Sequence, residues 1–282
     1  MAIQIRRTII YRLTDKDMIQ KTTQLKLDIS SMDSIEERIE ALKDGYKDET
    51  AYLVSCGPSL TTHNQQILKD KLKDKLVICA KQSLNYLNDI CDFHLLSAYN
   101  FQPYSYENKN TIKWWQLTAC NMNGELNKIV NEWKHDIDIY IPIVSGPWIT
   151  LEGSTAYTRN FDNWKKLSSD TQMLWGPGIL YESGFPLCYL LGVKNIVTIG
   201  WDIGDLSKYN GQVHDYNWFN QHATDLYDIR METGPDYTEL KNTIECTKEM
   251  YDWFLENKIK VRILSEINPA DSRFKRITLE DL

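Results

Sequence analysis

Six short apolar runs recur along the chain, each bounded by polar or turn-forming residues. They are AYLVS at 51–55, LVICA at 76–80, FHLLS at 93–97, IDIYIPIV at 137–144, NIVTIG at 195–200 and IKVRIL at 259–264. Most of these runs are continuously apolar instead of alternating, which is typical of strands covered on both faces of a parallel sheet. The pattern therefore predicts six strands of a mostly parallel sheet.

Helical patterns lie between several of these runs. Ser34 and Glu37 have the spacing of a capping box, and apolar residues follow them on one helical face. A short apolar helix is predicted over 184–191 and a longer amphipathic helix over 238–256. Strands that alternate with helices predict a doubly wound α/β fold, with helices on both faces of the sheet.

The pattern also suggests how the chain is organised. Residues 1–44 are interpreted as an N-terminal arm and helix, with 1–33 forming an arm or an edge hairpin, and residues 45–282 as one α/β domain. The stretches 101–135 and 145–182 are interpreted as insertions that line a cleft and add no strand to the sheet. The polar tail after Asn268 is expected to be peripheral.

The composition limits the function further. Of 282 residues, 42% are hydrophobic and 25% charged, which suffices for a large core. The formal net charge of −7 argues against a broad basic surface for nucleic acid or an anionic membrane. The six cysteines include no C-x-x-C pair, which excludes zinc ribbons and thioredoxin-like sites. Because we find no signal-peptide pattern and no apolar run of roughly 18 residues, we expect a cytoplasmic protein without a transmembrane segment.

The first candidate site is the loop SCGPSL at 55–60, directly after a predicted strand. Ligands of open α/β sheets bind beyond the carboxyl ends of the strands, and a small glycine-containing loop lets backbone N–H groups approach a phosphate. The loop is neither a Walker A motif nor G-x-G-x-x-G, so an ordinary tight turn stays the alternative. With no neighbouring histidine evident, Cys56 is interpreted as a small loop residue and not as a nucleophile.

Two further candidate motifs flank the strand at 195–200, one before it and one after it. Ser183, in YESGFP, is predicted to cap a helix whose positive end then faces an anion, with simple capping as the alternative. Asp202, at the strand end, is of the type that bonds a ribose hydroxyl. His214, in GQVH, is a candidate general base or phosphate partner, with a solvated loop histidine as the alternative. The D-x-D at 136–138 imitates a metal motif, but we interpret it as a strand edge and predict no metal site.

In chain order, these motifs resemble two related groups of proteins over about residues 45–270. The loop ending in GPSL resembles the G-x-GPSL loop of the motility accessory factor and 6-hydroxymethylpterin diphosphokinase-like family and of the related family 42 sialyltransferases. ESG at 182–184 with LGVKNI at 191–196 resembles the (T/E)-SG…LG-(F/Y)-K-x-I block of both groups. IGWD at 199–202 with GQVH at 211–214 is similar to the IG-x-DL…GK-x-H pattern of the accessory-factor group.

The resemblance implies a Rossmann-like fold of the glycosyltransferase-A-like variant. It further implies transfer of a nonulosonic, sialic-acid-type sugar from a CMP-activated donor to a glycan, lipid-linked or protein hydroxyl, as in surface-glycan biosynthesis. No cofactor is required, and a homo-oligomer is left open. His214 or Asp205 would be the general base. The nucleotide and donor would be bound by Cys56, Gly57, Pro58, Ser59, Lys81, Gln82, Tyr99, Asn100, Ser183, Gly184, Trp201, Asp202 and Tyr209.

The sequence departs from the sialyltransferases at three places, and two alternatives stay open. The tyrosine pair that stabilises their leaving phosphate has no clear counterpart here, and Tyr209 is a candidate for one member. Cys56 stands where sialyltransferases usually have asparagine, and no histidine occurs near Lys241, where their general base would align. One alternative is a 6-hydroxymethylpterin diphosphokinase that uses ATP and Mg²⁺, with Asp202 and Asp205 as metal ligands. The other is a non-catalytic nucleotide-binding protein.

Overall fold

A parallel sheet of eight strands forms the centre of the protein. The computed structural model describes residues 15–97, 104–118, 137–143, 161–167, 179–202, 237–265 and 268–282. The strand order is β5–β4–β3–β2–β1–β6–β7–β8, and every neighbouring pair is parallel. The strands are β1 (Thr50–Val54), β2 (Leu76–Ala80), β3 (Phe93–Ser97), β4 (Ile112–Thr118), β5 (Ile139–Ile143), β6 (Asn195–Ile199), β7 (Lys260–Leu264) and β8 (Lys275–Arg276).

Among the described residues, two helices precede β1 and four lie between strands, where the pattern predicted helices. They are α1 (Asp15–Ser30), α2 (Ile35–Leu42), α3 (Gln65–Leu72), α4 (Leu84–Leu87), α5 (Phe185–Leu190) and α6 (Tyr237–Glu256). Short 3₁₀ turns cover Pro58–Thr62, Lys81–Ser83, Phe161–Lys166 and Leu279–Asp281, and one π turn covers Leu180–Gly184. The predicted capping box is confirmed, because the Ser34 hydroxyl accepts from the Glu37 N–H and the Glu37 carboxylate accepts from the Ser34 N–H.

Both faces of the sheet are covered. Leu53 of β1 points to the face packed by α1, α2, α5 and α6, where Ile39 and Phe185 join it in one buried cluster. Val54, the next residue, points to the opposite face, where Leu68 and Leu84 of α3 and α4 pack. Successive strand residues alternate between faces, so burial on both sides explains the continuous apolar runs. The predicted α/β fold with helices on both faces is therefore confirmed.

One strand was missed by the sequence pattern. β4 lies within the stretch 101–135 that we interpreted as adding nothing to the sheet, and that interpretation is wrong. The strand pairs in parallel with β3 and β5, and its Ile112 and Trp114 are fully buried. Lys113 interrupts the apolar run, which explains why the strand escaped detection. Its ammonium group lies 4.7 Å from the ring centroid of Tyr106, a favourable cation–π contact.

The two ends of the described chain also differ from expectation. Residues 15–30 form α1 and not an arm or an edge hairpin, and Ile29 is buried in the same cluster as β1. The tail after Asn268 is not peripheral, since Phe274 and Ile277 are buried and β8 pairs with β7. The division into 1–44 and 45–282 stays a prediction.

Asp138, the second carboxylate of the D-x-D motif, lies at the entry to β5. It accepts a hydrogen bond from the Lys113 N–H at 2.7 Å and forms an ion pair with Lys26 of α1. These contacts give Asp138 a structural role at the strand edge. In the described part of the chain, no group of three or more His, Cys, Asp or Glu side chains is arranged to hold a metal ion. No helix in the same ranges is long and apolar enough to cross a membrane.

Candidate active site at the switch point of the sheet

The strand order places a crevice between β1 and β6. The chain adds β2 to β5 on one side of β1 and then returns to place β6 on the other side. The loops after β1 and β6 therefore lead in opposite directions from neighbouring strands, which opens the sheet at its carboxyl edge. The candidate loop at 55–60 follows β1, and Asp202 follows β6. The fold thus brings two of the predicted motifs to the same place.

Backbone hydrogen bonds extend the pairing of β1 and β6 into these loops. The Ser55 N–H donates to the Ile199 carbonyl at 2.8 Å, and the Gly57 N–H donates to the Gly200 carbonyl at 2.9 Å. A Cβ atom on Gly57 would lie 2.6 Å from Oδ2 of Asp202, which is closer than real Cβ contacts. Gly200 has φ +66°, a conformation that favours glycine. Both glycines therefore permit the close approach of the two loops.

The Asp202 carboxylate accepts hydrogen bonds from the loop after β1. Its Oδ2 accepts from the Ser59 N–H at 2.6 Å, and its Oδ1 accepts from the hydroxyls of Ser59 at 2.8 Å and Ser265 at 3.0 Å. Burial raises the pKa of Asp202, and the bonds from the two serines lower it. Asp202 thus occupies the loop donors that the sequence assigned to a nucleotide phosphate.

These bonds occupy backbone N–H groups that were predicted to bind a phosphate. Pro58 has no N–H, and the N–H groups of Gly57 and Ser59 already donate within the protein. We therefore expect side chains to contribute to the binding of an anion in the crevice. Cys56 is buried, and this burial raises its pKa while the charge of Lys81 lowers it. A raised pKa is the opposite of what a nucleophilic thiol requires.

Ser59→Ala is expected to lower the free energy of unfolding by about 1–2 kcal/mol, because one hydrogen bond to a partly buried carboxylate is lost. Asp202 keeps its bonds from the Ser59 N–H and the Ser265 hydroxyl. Urea denaturation measures the difference. Ser30→Ala is the control, since that exposed hydroxyl bonds only its own helix, to the Lys26 carbonyl. A Ser59→Ala variant as stable as the wild type would show that the hydroxyl does not help to hold the loop.

Lys81 and Gln82 follow β2 at the same edge of the sheet. Lys81 has φ +54°, which is unusual for a residue with a side chain, and its carbonyl bonds Nε2 of His94 at 2.8 Å. Gln82 is only 2% exposed, and its Oε1 has no hydrogen-bond partner among the described residues. A buried acceptor without a partner is costly, so Gln82 marks a place where a ligand donor can bind.

His94 of β3 fixes the conformation at Lys81. A carbonyl can only accept, so Nε2 of His94 carries the proton and Nδ1 accepts from the Tyr106 hydroxyl at 2.8 Å. Burial lowers the pKa of His94 to about 3, and the ring is neutral at physiological pH. Sequence reasoning did not select this residue, because it lies within an ordinary strand run.

His63 is a second residue that the sequence did not reveal. It ends the 3₁₀ turn after the candidate loop, and its Nε2 is buried with no hydrogen-bond partner among the described residues. Its carbonyl accepts from the Tyr86 hydroxyl at 2.5 Å. Burial lowers the pKa of His63, and the nearby charge of Asp202 raises it. No motif includes His63, although it lies only seven residues beyond Cys56.

Ser183 and Gly184 are buried at the start of α5. Helical structure already begins at 179, before Ser183, and no side chain caps α5. The prediction that Ser183 caps a free helix end is therefore wrong. Ser183 is fully buried, and a Cβ atom on Gly184 would lie 3.0 Å from the Leu53 side chain. This position packs against β1.

Trp201 is part of the core and does not present an open stacking face. It is 9% exposed and packs edge-on against Phe185 and Phe274, with ring centroids 5.4 Å and 6.4 Å away. Five other predicted site residues lie outside the described residues. They are Tyr99, Asn100, Asp205, Tyr209 and His214.

Solved structures that are similar to this chain include two of the sialyltransferase CstII from Campylobacter jejuni. The structure in complex with cytidine-5'-monophosphate, a substrate analogue, is 14% identical, with 82% of this chain and 85% of that chain covered and a TM-score of 0.42. The structure in complex with CMP-3FNeuAc is also 14% identical, with 81% and 85% covered and a TM-score of 0.38. No protein-family model and no curated protein sequence matches the chain. Likenesses this distant carry no conclusion about activity, and the resemblance to the accessory-factor family stays one of sequence motifs.

Proposed function

We propose that the chain is a glycosyltransferase that transfers a nonulosonic, sialic-acid-type sugar from a CMP-activated donor to a hydroxyl of a glycan, lipid-linked sugar or protein. The contact between the GPSL loop and the end of β6 carries this proposal. Ser59 and Asp202 are 143 residues apart and belong to two different motifs of the resemblance, yet they are hydrogen-bonded at the switch point. A crevice at this position is where α/β sheets bind nucleotides.

The proposed reaction is a displacement at the anomeric carbon of the donor sugar. The acceptor oxygen forms the new glycosidic bond, the bond from the sugar to the CMP phosphate breaks, and the acceptor proton passes to a general base. We assign the base to His214 or Asp205 on the basis of the resemblance. Negative charge grows on the leaving phosphate, so positive side chains such as Lys81 at the crevice stabilise the transition state.

The diphosphokinase alternative requires Mg²⁺, and of its two candidate ligands the structure describes Asp202, which is already hydrogen-bonded within the protein. Both oxygens of Asp202 accept hydrogen bonds from Ser59 and Ser265, which leaves the carboxylate engaged within the protein. A magnesium ligand needs a carboxylate free to face the ion and its substrate phosphates. The hydrogen bonds that Asp202 accepts therefore favour a nucleotide site in which Asp202 is not a metal ligand.

Thermal unfolding with CMP, CDP, UDP, GDP or ATP, each with and without Mg²⁺, tests the proposal. A ligand that binds only the folded protein stabilises it by about 2.7 kcal/mol at a hundredfold excess over Kd, so a clear rise in Tm is expected. We expect selective stabilisation by CMP that is independent of Mg²⁺. Magnesium-dependent stabilisation by ATP would favour the diphosphokinase instead, and no response to any nucleotide would contradict both enzymes.

Release of CMP from a CMP-activated sialic acid then separates an enzyme from a nucleotide-binding protein. We expect slow release that an acceptor accelerates. His214→Ala is expected to reduce turnover by about 10²- to 10⁴-fold while CMP still raises Tm, because loss of a general base affects the chemical step more than nucleotide binding. CMP binding without turnover by the wild-type protein would favour the non-catalytic alternative.

A further inference from the structure

We propose that His63 is a phosphate ligand in the crevice, and that its imidazole takes up a proton when a nucleoside monophosphate binds. This inference rests on the proposed function, since it assigns a residue to the same nucleotide site. No motif of the resemblance contains His63, and the assignment comes from its place beside Asp202 and from its unpartnered nitrogen.

The backbone around His63 is held in place while the ring nitrogen is left without a partner. The Tyr86 hydroxyl bonds the His63 carbonyl, and the side chain of Asn64, the next residue, caps α3 by accepting from the Ile67 N–H at 3.1 Å. A buried polar atom without a hydrogen bond costs free energy comparable to the loss of one. A ligand that bonds Nε2 would remove this cost.

The charges around the crevice indicate that the ligand of His63 is an anion. Asp202 already accepts the loop donors, so a phosphate cannot rely on the N–H groups of Gly57 and Ser59. A phosphate would also lie near the carboxylate of Asp202, and this repulsion must be offset by positive charge. Lys81 supplies one such charge at the same edge, since its field reaches Cys56. A protonated His63 would supply another beside Asp202.

A second buried atom supports a polar ligand at this edge. Gln82, after β2, has a buried Oε1 that lacks a partner among the described residues, as Nε2 of His63 does after β1. β1 and β2 are neighbouring parallel strands, so both atoms lie at the carboxyl edge of the sheet. A polar ligand bound at this edge would give both atoms a hydrogen-bond partner.

Binding is expected to be linked to protonation. In the free protein, burial lowers the pKa of His63, so the ring is neutral near pH 7. Among the described residues, Asp202 is the charged group whose field reaches the ring, and Tyr86 is the titratable group bonded to its backbone. A bound phosphate adds a second negative charge and raises the pKa. The affinity for CMP should therefore fall as pH rises through the pKa of the bound state, by at most about tenfold per pH unit.

Isothermal titration of the full chain with CMP and with cytidine, in two buffers of different ionisation enthalpy near pH 7, tests the inference. The wild-type protein should take up a fraction of a proton, up to about one, with CMP and none with cytidine. His63→Gln should abolish the uptake and weaken CMP binding by about 10- to 100-fold, because a charge-assisted hydrogen bond is lost. Its affinity for cytidine should change less than about twofold. Gln66→Ala, an exposed change on α3, is the control and should behave as the wild type.

The outcomes separate this inference from the function on which it rests. CMP binding by the wild-type protein with equal affinity and proton uptake in His63→Gln would overturn the role of His63 alone. Absence of CMP binding by the wild-type protein would overturn both proposals. Loss of affinity for CMP and cytidine alike would show a general effect on the crevice and would also overturn the phosphate role. Thermal unfolding of free His63→Gln and His63→Asn verifies folding, and we expect the Tm of both variants to stay close to that of the wild type, since the bond from Tyr86 goes to the backbone carbonyl and is kept.

Discussion

Replacing Gly57 with alanine is expected to lower the free energy of unfolding by about 2–4 kcal/mol and to abolish the thermal response to CMP. The added Cβ would meet the Gly200 carbonyl and lie 2.6 Å from Oδ2 and 2.9 Å from Cβ of Asp202. These atoms belong to the backbone and to a carboxylate held by three hydrogen bonds. They cannot move aside without breaking the contact between the two loops.

Gly184→Ala is the matched control for this prediction. The three atoms nearest to its added Cβ belong to the side chains of Leu53 and Leu180, at 3.0 to 3.3 Å, and flexible side chains can adjust. Alanine also favours a helix over glycine by about 1 kcal/mol, which offsets part of the crowding. We expect a stability change below about 1.5 kcal/mol and an unchanged response to CMP. If Gly57→Ala proves as stable and as responsive as Gly184→Ala, the close contact of the loops is not required.

Asp92→Asn is expected to stabilise the protein above neutral pH. Asp92 is 6% exposed, and its two oxygens accept from the Thr22 hydroxyl and from the Val77 N–H, each at 2.8 Å. Burial raises the pKa of Asp92 to about 7, while these two bonds lower it. The folded protein therefore favours the neutral acid at this position, and ionisation in the interior costs stability.

The direction of the pH effect follows from proton linkage. Between the ordinary pKa of 3.8 and about 7, the folded state holds a proton that the unfolded chain has released. The stability that this proton contributes is fully present below about pH 3.8 and is lost as pH rises through about 7. At about 1.4 kcal/mol per pKa unit, the loss reaches about 4 kcal/mol at most.

Asparagine mimics the protonated acid. Its amide can donate to the Thr22 hydroxyl and its carbonyl can accept from the Val77 N–H, provided that Thr22 donates to the Met18 carbonyl 3.3 Å away. The Tyr46 hydroxyl, 2.6 Å from the Thr22 oxygen, then donates to Thr22. The network needs no other rearrangement.

Urea denaturation at about pH 5 and about pH 8 measures the effect. We expect the stability advantage of the Asp92→Asn variant over the wild type to be larger at the higher pH by about 1–3 kcal/mol, since about two of the roughly three pKa units of the shift lie above pH 5. Asp89→Asn is the control, because Asp89 is exposed and paired with Lys69 at 2.7 Å, and it should change stability by less than about 1 kcal/mol. An Asp92→Asn variant that is less stable at both pH values would show that the carboxylate is ionised and needed in the fold.

The sequence pattern predicted the fold better than it predicted the site. Apolar runs report burial directly, so β1, β2, β3, β5, β6 and β7 were all found within two residues of their ends. β4 was missed because a lysine satisfied by a cation–π contact interrupts its run. The favourable contact of Lys113 depends on Tyr106, which lies outside the strand. The residues of the strand alone therefore do not reveal it.

The candidate site depends on partners that are distant in sequence. The loop at 55–60 was predicted from its glycine and its position after a strand, but its donors bind Asp202 instead of remaining free. Nothing in either motif indicates this pairing, because it arises from the return of the chain to β6. His63 and His94 were missed for the same reason, since what distinguishes them is the charge of Asp202 near His63 and the bond from His94 to the Lys81 carbonyl.

Hydrogen–deuterium exchange of the full chain with and without CMP tests the location of the nucleotide site most directly. We expect CMP to slow exchange at the carboxyl edge of the sheet, in residues 55–63, 81–83 and 200–202. The opposite edge contains a pocket of about 270 Å³ lined in part by Lys43, Lys165 and Lys194, and exchange there should not change. Protection at that pocket alone, or no protection anywhere, would contradict a nucleotide site between β1 and β6.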